Sequence, residues 1–434
     1  MSRTAGQSTV SRALSAHAAI GLVAGALLYL VSLTGTIAVF YAELQRVEQP
    51  GVPEMAMISP EAVQKGVEAV LGQEAGDAPT THLYVHMPAR DLPRATISTD
   101  TNAVHLDASG TIAMPEEIAW SDFLVQLHYT LNLPALVGIT IVGALGVMML
   151  ALSLSGVVAL PRIFRDAFRF RARSRGGIGL ADWHNRLSVW TLPFGIAIAL
   201  TGALIGLATV TAYGIAATDY EGDVEAVYEP IFGSEPEVDG APAPAPDVAA
   251  ALRFMADRYP DVEVSYAILH DPLTRGQHVQ IVGLHDRRLI FGEYYGFDAT
   301  GQFKGTAGLA DGEWGQQAAA STYQLHFGTF GGLWVKLAYV LFGTALTAVC
   351  ATGTYIWLGK RRRRGHDESR LKAIWDGVVI GAPVALFTGF ACRMALGNDA
   401  PHVAIFWLAY ALVVALCLAA LPRFAVKVSG ANAA

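Results

Sequence analysis

A chain of 434 residues could hold two or three soluble domains, but 53% hydrophobic against 15% charged residues, with a mean hydropathy of +0.39, fits a membrane protein instead. The net charge of −7 conceals two short basic blocks set against acidic polar stretches, a distribution that argues against nucleic-acid binding and reports orientation across a bilayer. Cys350, Cys392 and Cys417 all lie in apolar stretches, with no Cys-x-x-Cys pair and no Cys-x-x-Cys-His, so neither a disulfide framework nor covalent c-type haem is expected.

Arg3 and Arg12 precede the first apolar run, and no small-residue cleavage site interrupts it, which predicts a retained first helix. Six stretches, near 16–42, 132–160, 186–212, 329–358, 374–396 and 402–421, reach the about 20 apolar residues that a hydrocarbon core of about 30 Å requires. Between the second and third lie Arg162, Arg165, Arg169, Arg171, Arg173 and Arg175; after the fourth come Lys360 and Arg361 to Arg364. Positive charge marks the cytoplasmic side, so counting crossings from these two blocks puts both termini inside, the second with Arg423 and Lys427. The predicted parts are membrane segments at 12–42, 121–160, 184–212 and 321–359, a hairpin at 374–421, basic loops at 161–183 and 360–373, and outer segments at 43–120 and 213–320. In a bacterium this is a multi-pass inner-membrane protein whose outer segments face the periplasm.

Each outer segment reads as a small domain that opens with a helix and continues in strands. In the first, Ser59-Pro60-Glu61 caps an amphipathic helix to about Leu71, followed by strands near 81–87, 94–99 and 103–107 and a closing turn at Asp107-Ala-Ser-Gly110. In the second, a Pro-Ala-Pro-Ala-Pro linker at 242–246 precedes a helix near 247–258, strands near 262–269, 277–283 and 289–297, and a matching turn at Asp298-Ala-Thr-Gly301.

The repetition extends into the membrane. His17 precedes Leu33-Thr34-Gly35, and His184 precedes Leu200-Thr201-Gly202, both with a His-to-Thr spacing of 17. His128 precedes Ser155-Gly156 by 27 residues, and His326 precedes Thr352-Gly353 by 26. The fold class is therefore a mainly α membrane bundle of about six helices: a duplicated helix, outer α+β domain, helix unit, with a C-terminal hairpin added.

His17 and His184 open helices entering from the cytoplasm, whereas His128 and His326 open helices entering from outside, which gives one pair at each face. Imidazole is a common metal and haem-iron ligand, and helix bundles build cofactor sites from facing side chains, so two non-covalent bis-histidine b-type haems fit this layout. The Thr-Gly and Ser-Gly pairs fall where they could make room for a macrocycle. Against this, a lone histidine at a helix entrance is ordinarily an interfacial hydrogen-bonding residue, and small-residue pairs are ordinarily packing devices. Height is a further difficulty: at 1.5 Å per residue, 27 residues span about 40 Å, which lifts His128 and His326 to the outer surface unless Pro134 breaks the path.

These residues carry a family resemblance. His17-Ala-Ala-Ile-Gly21 with its Leu-Thr-Gly, Leu127-His128-Tyr-Thr-Leu131, Asp182-Trp-His184, Leu200-Thr-Gly202 and Leu325-His326-Phe-Gly328 resemble PepSY-associated transmembrane proteins over about residues 12–360, and the outer segments resemble PepSY modules. The resemblance implies a di-haem ferric-siderophore reductase of the inner membrane, with His17, His184, His128 and His326 as iron ligands. It also implies a ferric siderophore or other periplasmic Fe(III) chelate as acceptor. No flavin or NAD domain follows the fourth helix, so the donor is a separate cytoplasmic reductase or a membrane pool. A non-redox sensor, or a protein binding a protease or peptidoglycan through its PepSY modules, is the competing reading; a nearly apolar midplane argues against a transporter.

Lys336, inside the fourth span, either meets a haem propionate, lines a polar route or snorkels outward; Arg393 is expected to snorkel. Asp182 either caps the third helix or orients His184. His82 and His86 share one strand face and, with His278 and His285, read first as solvated strand histidines and second as metal ligands.

Overall fold

The computed structural model describes residues 8–74, 80–160, 162–167, 178–232, 239–285, 289, 291–308 and 314–421. Arg169, Arg171, Arg173, Arg175, Arg423 and Lys427 lie outside them, as does the side chain of His285. In chain order the first part runs α1 (Thr9–Ala38), α2 (Tyr41–Glu48), α3 (Pro60–Glu74), β1 (His82–His86), β2 (Ala95–Ser98), β3 (Ala103–Leu106), β4 (Ile112–Pro115), α4 (Ala119–Thr130), α5 (Ala135–Ala159) and α6 (Ile163–Asp166). The second runs α7 (Ile178–Trp190), α8 (Leu192–Asp219), α9 (Glu225–Phe232), α10 (Val248–Arg258), β5 (Val262–His270), β6 (His278–His285), β7 (Phe291–Asp298), β8 (Phe303–Ala307), α11 (Trp314–Phe327) and α12 (Gly332–Arg363). The hairpin α13 (Ser369–Leu396) and α14 (His402–Ala419) follows.

Among the described residues α1, α5, α8, α12, α13 and α14 are long and apolar enough to cross a membrane, one for each predicted stretch. Their apolar residues go right round the helix, and large ones lie bare on the surface, Val23 at 79%, Phe387 at 71% and Leu408 at 71% exposure. Such surfaces need lipid as their solvent. The protein is thus a multi-pass membrane protein, mainly helical, with a small antiparallel sheet.

The chain divides into two compact units, one from Met1–Leu33, Ala151–Leu192 and Gly343–Ala434, the other from Thr34–Leu150 and Pro193–Phe342. In the first unit, α13 meets α14 through Gly377 against Val414 and Gly381 against Tyr410, small residues that bring the backbones together. Tyr29 donates to the Val379 carbonyl at 2.8 Å, and the Trp375 indole to the Ala351 carbonyl at 3.0 Å.

In the second unit, α5 and α8 meet through Gly143 against Gly206 and Gly146 against Ala199 and Ala203. The same unit holds the sheet. Its order is β4-β3-β2-β1-β5-β6-β7-β8, entirely antiparallel. The two outer segments therefore share one sheet, joined where β1 pairs with β5, Tyr84 opposite Ile268. On one face Leu83, Val85, Ala267, Leu269, Val279 and Ile281 pack with Val63 and Val67 of α3 and Leu252 and Met255 of α10 into a single core. Ser59 Oγ accepts from the Ala62 N–H at 3.2 Å, as the capping pattern predicted.

Each half contains a fourth strand beyond the three predicted. Asp107 and Asp298 do not close their domains; they turn the chain into β4 and β8. Asp107 Oδ1 accepts from the Ser109 and Thr111 N–H groups, and Asp298 Oδ1 from those of Thr300 and Gln302, the same turn built twice.

Candidate functional site

The four histidines form two pairs, each inside one unit. The rings of His17 and His184 have centroids 6.5 Å apart with planes at 86°, and those of His128 and His326 are 6.2 Å apart at 35°. An imidazole nitrogen lies about 2.0 Å from a first-row metal ion with its ring centre about 1.1 Å behind, so two imidazoles on opposite sides of one ion have centroids about 6.3 Å apart. Both pairs have the spacing of an ion held from two sides.

Each ring is fixed by its Nδ1. His17 Nδ1 meets the Leu152 carbonyl at 3.0 Å and Ser155 Oγ at 3.1 Å; a carbonyl only accepts, so Nδ1 carries the proton. His184 Nδ1 lies 2.9 Å from Thr352 Oγ1, and His326 Nδ1 3.0 Å from Thr201 Oγ1. Those hydroxyls donate back to the Ala348 and Ala197 carbonyls, each at 2.7 Å, so toward the imidazoles they act as acceptors. His128 Nδ1 is 3.4 Å from Thr34 Oγ1. At His17, His184 and His326 the protonated, hydrogen-bonded Nδ1 leaves the ring's lone pair on Nε2, the orientation that ligating histidines ordinarily have.

Each glycine beside a hydroxyl stands against an imidazole, and at Gly35 and Gly202 the lack of a side chain makes room for the ring. A Cβ on Gly35 would stand 2.5 Å from His128 Cε1, and one on Gly202 2.9 Å from His326 Cε1. At Gly156 and Gly353 the corresponding distances to His17 and His184 are 3.4 and 3.5 Å. Each hydroxyl-glycine pair thus serves the histidine of the other helix in its own repeat: Thr34-Gly35 holds His128 and Ser155-Gly156 holds His17. The second repeat does the same with Thr201-Gly202 and Thr352-Gly353.

The height difficulty disappears in the local backbone. His128 does not open α5; it sits on α4, which ends at Leu131 and Asn132 with φ of 57° and 54° before Pro134 starts the next helix. His326 sits on α11, and Gly328, Gly331 and Gly332, with φ of 67°, 93° and 62°, turn the chain into α12. A single helix from histidine to hydroxyl, which the arithmetic assumed, is therefore absent from both places.

Sequence reasoning missed the supports of these short helices. Glu48 caps α4, its Oε1 accepting from the Trp120 N–H at 2.9 Å and its Oε2 from the Ser121 N–H at 3.0 Å and hydroxyl at 2.7 Å. Tyr339 on α12 donates to the Leu325 carbonyl at 2.5 Å, next to His326. A glutamate 72 residues from the helix it caps leaves no local signal.

The remaining candidates fall elsewhere. Asp182 neither caps α7, which begins at Ile178, nor meets His184; it pairs with Arg186 at 2.8 Å. Lys336 is doubly ion-paired: its ammonium, on a side chain 7% exposed, lies 2.7 Å from both Glu43 Oε1 and Asp91 Oδ2. Arg393 is buried, at 7% exposure. His86 is exposed, whereas His82 and His278 flank His270 across adjacent strands.

An uncharacterized protein of Pseudomonas aeruginosa is 28% identical over 274 residues, 58% of this chain and 66% of that protein, so the match spans just under two thirds of this relative's length. The family model of the PepSY-associated TM region matches residues 14–360, which hold all four histidines, their hydroxyl-glycine partners and the sheet, and the chain belongs to that family.

Proposed function

We propose that this protein carries electrons across the bacterial inner membrane through two non-covalent b-type haems, and that it reduces Fe(III) chelated by a siderophore on the periplasmic side. What carries the proposal is the pairing: two imidazole pairs at 6.5 and 6.2 Å, with all four Nδ1 atoms hydrogen-bonded. His17 with His184, and His128 with His326, would each hold one haem, which would supply one-electron redox chemistry there.

The protein residues do the positioning. Ser155, Thr352, Thr34 and Thr201 hold the rings in one tautomer and raise the basicity of Nε2, which tunes potential. Arg162 and Arg165 after α5, and Lys360 to Arg364 at the end of α12, favour the cytoplasmic side, which puts the sheet-bearing connections in the periplasm and both termini inside. The electron source is a separate cytoplasmic reductase or a membrane pool. One electron converts the chelated Fe(III) to Fe(II), an ion of lower charge and less hardness that oxygen ligands hold less well, so iron is released for uptake.

An absorption spectrum of the purified protein tests this. The expected result is a red preparation with Soret and α/β bands of six-coordinate haem; His17→Ala or His184→Ala removes one component, and His128→Ala or His326→Ala the other. A colourless preparation from haem-replete cells overturns the proposal in favour of a non-redox PepSY sensor or binding protein.

A further inference from the structure

On the sheet face opposite the α3 and α10 core, alternation brings another set of histidines together. His82 is in register with His270, and His270 with His278, so three adjacent strands present one imidazole each in a single row. Asp298 continues the row opposite His278. At its other end Asp100 accepts from the Thr81 N–H at 2.6 Å, next to His82. The row is therefore one of three histidines, with Asp100 beside His82 at one end and, at the other, Asp298 already paired with Lys304 at 2.7 Å.

Spacing and an unmet hydrogen-bonding group point the same way. His82 and His270 have ring centroids 5.1 Å apart at 72°, and His270 stacks on His278 at 4.2 Å. Two imidazoles sharing one ion at about 2.0 Å with a 90–109° angle between them have centroids about 4.4–5.1 Å apart, a spacing that His82 and His270 meet and the parallel His270–His278 stack does not. His270 Nε2 is buried and has no hydrogen-bond partner among the described residues, a condition that a bound water or ion relieves.

We propose that His82, His270 and His278 form a capture site for a divalent transition-metal ion of borderline softness, Cu(II), Ni(II) or Zn(II). Imidazole suits these ions and Cu(II) heads the affinity order, whereas hard Fe(III) prefers oxygen. No three ligands among the described residues already converge on one point, so His278, now parallel to His270, turns about its side-chain bonds to complete the site. The site shares no residue with the four membrane histidines and does not rest on their role.

Titration of the full-length protein in detergent with ZnCl2, followed by calorimetry, tests the site. One ion per chain is expected, with His82→Ala and His270→Ala each weakening affinity by at least about tenfold and His86→Ala, on the same strand face, leaving it unchanged. With CuCl2, nitrogen hyperfine structure in the electron paramagnetic resonance spectrum is expected and is lost in the His82/His270 double variant. Should His270→Ala fail to fold, His82→Ala decides, because His82 begins its strand. Absence of saturable Zn(II) and Cu(II) binding, or binding indifferent to His82→Ala, overturns the proposal.

Discussion

At the residue scale the site depends on contacts of a few tenths of an ångström. The glycines are unequal: a methyl group at Gly35 or Gly202 overlaps the imidazole of His128 or His326, whereas at Gly156 or Gly353 it only touches His17 or His184. Gly35→Ala and Gly202→Ala should therefore displace a ligand and remove the haem component of the His128–His326 pair. Gly156→Ala and Gly353→Ala should leave both components in place, and equal loss from all four would contradict the packing. Glu116, at the exit of β4, gives a pH prediction. Burial first, then the charge of Asp122, raise its carboxyl to about 7 against the opposing pull of Arg94. A carboxyl whose folded value exceeds its unfolded value near 4.5 favours folding below that value, and this contribution is lost as pH rises through 7. The melting temperature of Glu116→Gln relative to the parent should rise between pH 5 and 8, and a pH-independent difference would refute the assignment. The histidines themselves were legible in the sequence because their spacings repeat. The purpose of the glycines was not, since what they accommodate lies on another helix.

At the element scale the short helices α4 and α11 set the position of one histidine pair, and their supports come from distant parts of the chain. Lys336 of α12 ties α2 through Glu43 and the β1–β2 connection through Asp91. The lysine is buried while its partners are about two-fifths exposed, so water screens part of the pairing. Lys336→Met should lower stability by about 1–3 kcal/mol, and more than Glu43→Gln or Asp91→Asn, because it leaves two like-charged carboxylates without the ammonium between them. Chemical denaturation of the three variants checks the order. Pro134 marked the break after α4 in advance, and Gly328 with Gly331 marks the corresponding one before α12. Periodicity identified the predicted strands, yet β4 and β8 escaped because they are short and follow turns that resemble endings. Asp107 and Asp298 support hairpins, and only pairing with β3 and β7 distinguishes a hairpin from a closing turn.

At the scale of the whole molecule, duplication explains the site better than either repeat alone. Each pair takes one histidine from each repeat, while each histidine takes its hydroxyl and glycine from its own repeat. A chain ending at residue 167 should therefore show no six-coordinate haem spectrum when expressed alone, and co-expression with residues 178–434 should restore it. A complete spectrum from one half would require a different ligand set. The sheet makes the same point, since β1 and β5 come from different repeats and neither four-stranded half is closed on that edge.

Membrane character, the number of spans and the fourfold recurrence of a histidine with a hydroxyl-glycine pair were determined by the sequence alone, because hydropathy and spacing are properties of consecutive residues. The tertiary structure decided which histidine faces which, that Gly35 and Gly202 clear a ring, that the two outer segments form one sheet, and that His82, His270 and His278 stand in a row. Those are relations between residues up to about 200 positions apart, set by strand register and helix packing, and no local pattern along the chain encodes them.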